Sequence, residues 1–255
     1  MRQTKSYLSF SFVLLTLLFY SLNLFAFEIE TGVGITQITP SGNLSYKGIG
    51  VDVKNDLKYD KVSNFTGRIR LDLPLFLPNL YIAATPLKFD ATGSKTVPFQ
   101  FGNLSFSANV PFTSTLKLDH YDLTLFYGIP FIETVTDEKL RIDVGLNVRL
   151  IDFKAEINQA QTGLNESKSL AVPVPMGFLA LQLKPIDKLS VGAEIKAIAY
   201  GKNRYYDANA LVKYRILKFL FIGAGYKVQN ITLDQNDIHT ELEFSGPAAE
   251  IGIIF

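Results

Sequence analysis

TELEFSGPAAEIGIIF, residues 240–255, alternates in a way that only an extended chain explains. Counted back from its end, Phe255, Ile253, Ile251 and Ala249 fall on one face, and Gly252, Glu250 and Ala248 on the other. A strand with two open edges needs a partner on each side. Leu242 and Phe244 are out of phase with Ile251 and Ile253, so the spacing predicts a bulge or kink at Gly246-Pro247.

Working outward from that stretch, the same period of two recurs along the chain. Leu140, Ile142, Val144, Leu146, Val148 and Leu150 alternate with Arg141, Asp143, Gly145, Asn147 and Arg149. Segments starting at Phe27, covering 64–73, 117–131, 188–199 and 205–216 behave alike, and weaker ones lie at 79–89, 170–183 and 219–230. With the terminal strand this makes about ten, the even number expected of an antiparallel barrel closed on itself, with twelve as the alternative. Short connections at 77–79, 133–138, 185–188 and 217–218 alternate with longer ones at 38–60, 90–116 and 154–169 and modest ones at 201–204 and 232–239. Short turns at one end and long loops at the other predict an up-and-down transmembrane barrel with both termini on the short-turn side. The terminal strand then closes on residues 27–37.

Arg2 and Lys5 precede an uncharged, Leu- and Phe-rich run from Tyr7 to Ala26, which reads as a signal peptide over 1–26, with an uncleaved anchor as the alternative. The barrel domain is then 27–255. Removing two cations turns the formal net charge of +1 into −1, which argues against a nucleic-acid partner. The chain has no Cys, so neither disulfides nor thiolate metal sites are available. No cofactor is implied, and no stretch of the body approaches the roughly 20 apolar residues of a spanning helix.

Alternation does not say which face meets lipid, because a soluble barrel turns its apolar face inward. A polar face rich in Gly, Ser, Thr and Asn with both charge signs suits a lumen. Tyr46, Tyr59, Tyr121, Tyr200, Tyr205 and Tyr206 near loop ends, and Phe76, Phe131, Phe219 and Phe255 near turn ends, are placed for two interfacial girdles. The segments SGNLSYKG (41–48), VDVKNDLKYD (51–60), LPLFLPNLY (73–81), LKLDHYDLTLFYGIPF (116–131), DVGLNVRLIDF (143–153), GLNESKSLAVPVPM (163–176) and AYGKNRYYD (199–207) resemble a functionally uncharacterised family of outer-membrane β-barrel proteins of Gram-negative bacteria. The resemblance implies an all-β barrel in the outer membrane, exported through the periplasm. It implies that Ile251, Ile253 and Phe255 form the signal read by the barrel-assembly machinery, and it supplies no catalytic or binding residues. The expected partners are outer-membrane lipid and that machinery, and the expected state is a monomer.

The predicted inward charges are Glu28, Glu30, Arg68, Arg70, Asp72, Asp122, Arg141, Asp143, Arg149, Glu194, Lys196, Asp207, Lys213, Arg215 and Glu250, seven basic and eight acidic. Such a near-balanced set suits a lumen filled by an ion-pair network; a narrow polar conduit is the alternative. The loop 97–112 spends Phe99, Phe101, Phe106 and Phe112 where water-exposed loops seldom carry aromatics. It reads first as a hairpin prolonging the barrel wall and turning at Gly102-Asn103, then as a lid, then as a site for an apolar ligand. Asp119-His120 and Asp237-Ile238-His239 raise a rim hydrolase as a distant possibility, without the second acidic pair that water activation needs. Ser245 beside His239 and Glu241 is too generic for an acyl-transfer site. Calcium at Asp52, Asn55, Asp56 and Asp60 is a weak option, and no metal site is expected.

Overall fold

The computed structural model describes residues 27–48, 50–74, 77–235 and 237–255. The expected signal peptide over 1–26 and Phe76 of the expected girdle lie outside them. The described strands are β1 (Glu28–Tyr46), β2 (Val51–Asp52), β3 (Val62–Asp72), β4 (Asn79–Thr85), β5 (Lys88–Gly93), β6 (Phe99–Phe101), β7 (Leu104–Phe106), β8 (Phe112–Gly128), β9 (Leu140–Gln159), β10 (Leu164–Ile186), β11 (Leu189–Tyr200), β12 (Asn203–Arg215), β13 (Leu220–Gln235) and β14 (Ile238–Ile254). A single helical turn, α1 (Ile132–Val135), sits in one short connection.

Sequential antiparallel pairing runs from β1 through β3, β4 and β8 to β14, and β14 pairs back onto β1. Because β4 and β5 are one wall strand broken at Pro86-Leu87, the barrel has ten strands. Proline has no N–H to give the ladder at that break, and the Asp119 Oδ1 accepts from Leu87 N at 2.9 Å instead. At the seam, Glu30 faces Ile254 and Tyr46 faces Ile238. Ile29 and Phe255 exchange both backbone hydrogen bonds, at 3.0 and 2.9 Å.

The apolar face points outward. Leu146 is 73% exposed, and Val33, Phe65, Leu123, Leu125, Val148, Leu179, Val212, Ile222 and Ile251 are exposed with it. The residues that alternate with this face along the strands, Glu30, Asp122, Asp143, Asn147, Arg149, Lys196 and Asp207, are all buried inside. A soluble barrel would reverse this, so the distribution settles the lipid-facing side.

The expectations about the bulge, one long loop and the tyrosine girdle require correction. The ladder of β14 against β13 runs without a shift through Tyr226–Pro247 and Lys227–Gly246, and the β1 register is the same on both sides of that point, so there is no bulge; the irregularity is confined to the β1 side, where Gln37 and Ile38 do not pair with Gly246-Pro247. Leu242 and Phe244 are on the inward face with Glu250, and what changes at Gly246 is the polarity of the lumen, from charged below to apolar above. The expected loop 154–169 is mostly strand: β9 and β10 continue to Gln159 and Leu164 around a turn at Ala160–Gly163, where Gly163 has φ 68°. Tyr59 and Tyr205 do not belong to a girdle, because both are buried; Tyr121, Tyr200 and Tyr206 are exposed outside, as are Phe131, Phe219 and Phe255.

The inward apolar face continues as a core at the long-loop end, where Ile38, Phe89, Leu116, Ile157, Met176 and Phe244 of the wall meet Val53, Leu57 and Tyr59 of a loop. β6 and β7 turn at Gly102-Asn103 as expected, but they form a separate two-stranded sheet and do not prolong the wall. Phe99, Phe101 and Phe106 are at most 3% exposed and enter the same core, so the hairpin lies across the mouth as a lid. Phe99 stacks on Phe106 with ring centres 5.2 Å apart, and Phe89 stacks on Phe244 at 5.6 Å. The Gln159 side chain holds the base of the lid, accepting from Ser107 N and donating to Ser107 O, both at 3.0 Å, and to Val110 O at 3.1 Å.

Candidate functional site: the charged lumen

Below the lid, period-two alternation from every wall strand delivers polar side chains into one enclosed space, and the structure sorts the predicted charges into three layers. The upper layer centres on Arg149 of β9, which is 1% exposed. Its guanidinium donates twice to Asp122 of β8, each at 2.8 Å, to Asp207 of β12 at 2.7 Å and to the Tyr205 hydroxyl at 2.6 Å. Strands β9 and β12 are not neighbours, so this arginine bridges the lumen. Lys196 reaches Asp122 at 3.2 Å and Lys227 reaches Asp207 at 3.4 Å. Asn147 donates to Asp122 at 2.9 Å and accepts from Thr124 at 2.7 Å.

In the middle layer Arg68 of β3 is bonded to both Glu30 of β1 and Glu250 of β14, and Lys213 of β12 reaches Glu30 at 2.5 Å. Near the short-turn end, Arg70, Asp72, Arg141 and Asp143 close a four-membered ring of ion pairs between 2.6 and 3.0 Å. Aromatic rings lie under these cations: Arg70 over Phe126 at 4.5 Å, Lys196 over Tyr81 at 4.6 Å and Lys213 over Phe221 at 5.0 Å. Glycines make the room, since a Cβ at Gly145 would meet Phe126 and one at Gly252 would meet the Phe221 ring.

Glu28, Glu194 and Arg215 stand apart from these pairs. Among the described residues none of the three has an ion-pair partner; Glu28 is exposed at the mouth, Arg215 lines it, and the Glu194 carboxylate only accepts from the Tyr81 hydroxyl at 3.4 Å. The structure adds Lys227, Tyr81, Tyr205, Asn147, Asn209 and Gln229, which the sequence reading left out. Lys227 and Asn209 were visible as polar alternates within the strand pattern; Tyr205 was hidden because its neighbour Tyr206 is equally aromatic and points outward.

The histidines do not share a site. His120 is 1% exposed inside the barrel, with Nδ1 3.1 Å from the Leu118 carbonyl, and is not at an exposed rim. His239 is outside, its Nδ1 2.6 Å from Asp234 Oδ1. The candidate calcium residues are otherwise engaged: Asp52 Oδ1 accepts from the backbone of Lys54 and Asn55, and Asp56 pairs with Lys95 at 2.6 Å. Among the described residues no group of three or more His, Cys, Asp or Glu is placed to hold a metal ion, and no helix is long and apolar enough to cross a membrane.

No family model and no curated protein matches the chain. Solved structures do. The outer-membrane protease OmpT of Escherichia coli aligns over 90% of this chain and 98% of its own, at 10% identity and a TM-score of 0.51. The translocator domain of the autotransporter NalP from Neisseria meningitidis aligns over 98% of this chain and 96% of its own, at 10% identity and a TM-score of 0.44. Ail, the attachment invasion locus protein of Yersinia pestis, aligns over 90% of this chain and 99% of its own, at 12% identity and a TM-score of 0.38. At these identities the likeness speaks to the fold alone. The closed ten-stranded wall and the outward apolar belt, together with the OmpT-like fold, are those of an outer-membrane β-barrel.

Proposed function

We propose that this is a closed barrel whose working surface is external: a structural or interaction protein that presents the lid and the long β9–β10 hairpin outside the membrane. The observation that carries the reading is the Arg149 bridge, buried beneath a core of apolar side chains that, among the described residues, caps the outer end of the lumen. A buried, multiply bonded ion network is held in one arrangement by the cost of separating it. On the same reading the barrel is a monomer made with a cleaved signal peptide, and Ile251, Ile253 and Phe255 at the seam serve as its assembly signal. Swelling of proteoliposomes in a small sugar is the test: the closed barrel gives the rate of empty vesicles.

A narrow channel is the second reading, favoured by the polar cavities below Arg149, and solute-dependent swelling would establish it. A hydrolase has less support, since the Asp234–His239 pair is outside and His120 is sealed inside. OmpT is a protease, but at 10% identity its likeness to this chain concerns the fold alone.

A further inference from the structure

Two cavities lie below the Arg149 bridge. A wider one of about 130 Å³ opens at the short-turn, periplasmic mouth, and an inner one of about 50 Å³ ends against Arg149 and Asp122. They meet at Arg68, Tyr81, Glu194, Asn209 and Leu211. At roughly 10–15 Å³ of such space per water, the inner cavity takes about 3–5 waters or a solute the size of glycine.

The wall of that inner cavity carries a row of three residues. Glu194 of β11 pairs directly with Asn209 of β12, and Asn209 directly with Lys227 of β13. All three side chains line the cavity. The Glu194 carboxylate has no cation within ion-pair distance, and the Asn209 Oδ1 is buried without a hydrogen-bond partner. At the other end of the row Lys227 has one ion pair, to Asp207 at 3.4 Å, longer than most others in the lumen. The row therefore offers an unpaired anion, a free amide and a loosely held cation, in that order.

We infer that Glu194, Asn209 and Lys227 form a periplasm-facing site for a small zwitterion of amino-acid size, its ammonium group on Glu194 and Asn209 Oδ1 and its carboxylate on Lys227. The spacing suits it. Two strand intervals separate the Glu194 and Lys227 backbones by about 9.6 Å, and inward side chains of a barrel converge from there toward the roughly 9 Å that an α-amino acid's ammonium-to-carboxylate distance of about 3 Å and two charge-assisted hydrogen bonds of about 2.8 Å require. Charge suits it as well: Lys196, Lys227 and Arg68 line the inner cavity and oppose a bare cation, and Asp122, Asp207 and Glu250 oppose a bare anion. A molecule with both charges leaves the balance of the lumen unchanged.

Titration calorimetry of the detergent-solubilised, folded protein with glycine tests the site, with methylamine and acetate as single-charge controls and E194Q and K227M as variants. The expected result is saturable glycine binding, with each control and each variant weaker by roughly ten- to hundredfold, the value of one charge-assisted hydrogen bond. Absence of glycine binding overturns the proposal, as does unchanged affinity in E194Q or K227M that still migrate as folded barrels on an unboiled gel. The inference rests on the lumen being closed above Arg149. Failure of that closure appears as swelling of proteoliposomes, a readout independent of glycine binding.

Discussion

Replacing Arg149 by Met keeps an unbranched stem in a space that is 1% exposed and removes four hydrogen bonds, two to Asp122 and one each to Asp207 and Tyr205. Breaking a buried ion pair by deleting one partner costs about 3–5 kcal/mol, because the surviving charge stays buried. Here both carboxylates keep a cation, Asp122 the Lys196 ammonium at 3.2 Å and Asp207 the Lys227 ammonium at 3.4 Å. The expected loss is therefore at the low end, about 3 kcal/mol. With no Trp in the chain, urea unfolding in phospholipid vesicles is best followed by far-UV circular dichroism and by mobility on unboiled gels. A double-mutant cycle with D207N should return a coupling of about 1–3 kcal/mol between the two positions. A loss below about 1 kcal/mol in R149M with an unchanged m-value, or strict additivity with D207N, would refute the idea that this bridge locks the lumen.

Leu146→Arg places a charge on the middle of the outward belt and should destabilise the inserted barrel by about 2–4 kcal/mol, measured by the same titration, whereas a soluble barrel would tolerate it. Gly145→Ala puts a Cβ 2.2 Å from the Leu125 carbonyl and should cost about 1–3 kcal/mol, read from the urea midpoint. Tyr59, in a loop outside the membrane, has its phenol pushed well above the ordinary tyrosine value, chiefly by burial. A raised acid contributes stability in full below the unfolded value near 10 and loses it as pH rises through the folded one. The wild type should thus lose stability above about pH 10 and Tyr59→Phe should lose less, seen by circular dichroism across an alkaline series. Deleting residues 98–111 removes the lid but leaves Phe89, Phe244 and the Arg149 layer, so the variant should still exclude small sugars in a swelling assay.

The wall of the barrel was legible because lipid and lumen impose opposite demands on successive residues, and 140–150 obeys them without exception. The upper interior was not. There Leu242, Phe244, Ile151 and Ile157 turn an apolar face inward, and the pattern reads as a slip of phase when the backbone keeps its register. Alternation places Arg149, Asp122 and Asp207 on the inward face, but the contact between Arg149 and Asp207 depends on barrel diameter and strand stagger, which no local pattern carries. His120 is inside for a related reason: the alternation is clear only over 117–131, which puts His120 near a strand end, whereas β8 begins at Phe112 and carries His120 well within the wall. The aromatic content of 97–112 correctly announced burial, yet only the three-dimensional arrangement distinguishes a lid from a prolonged wall.

Single-channel recording of the purified protein in a planar bilayer bears most directly on the closed lumen. The Arg149 bridge beneath an apolar core predicts a flat trace at moderate voltage in concentrated KCl, indistinguishable from protein-free membrane. Discrete, reproducible conductance steps from the wild-type protein would contradict it.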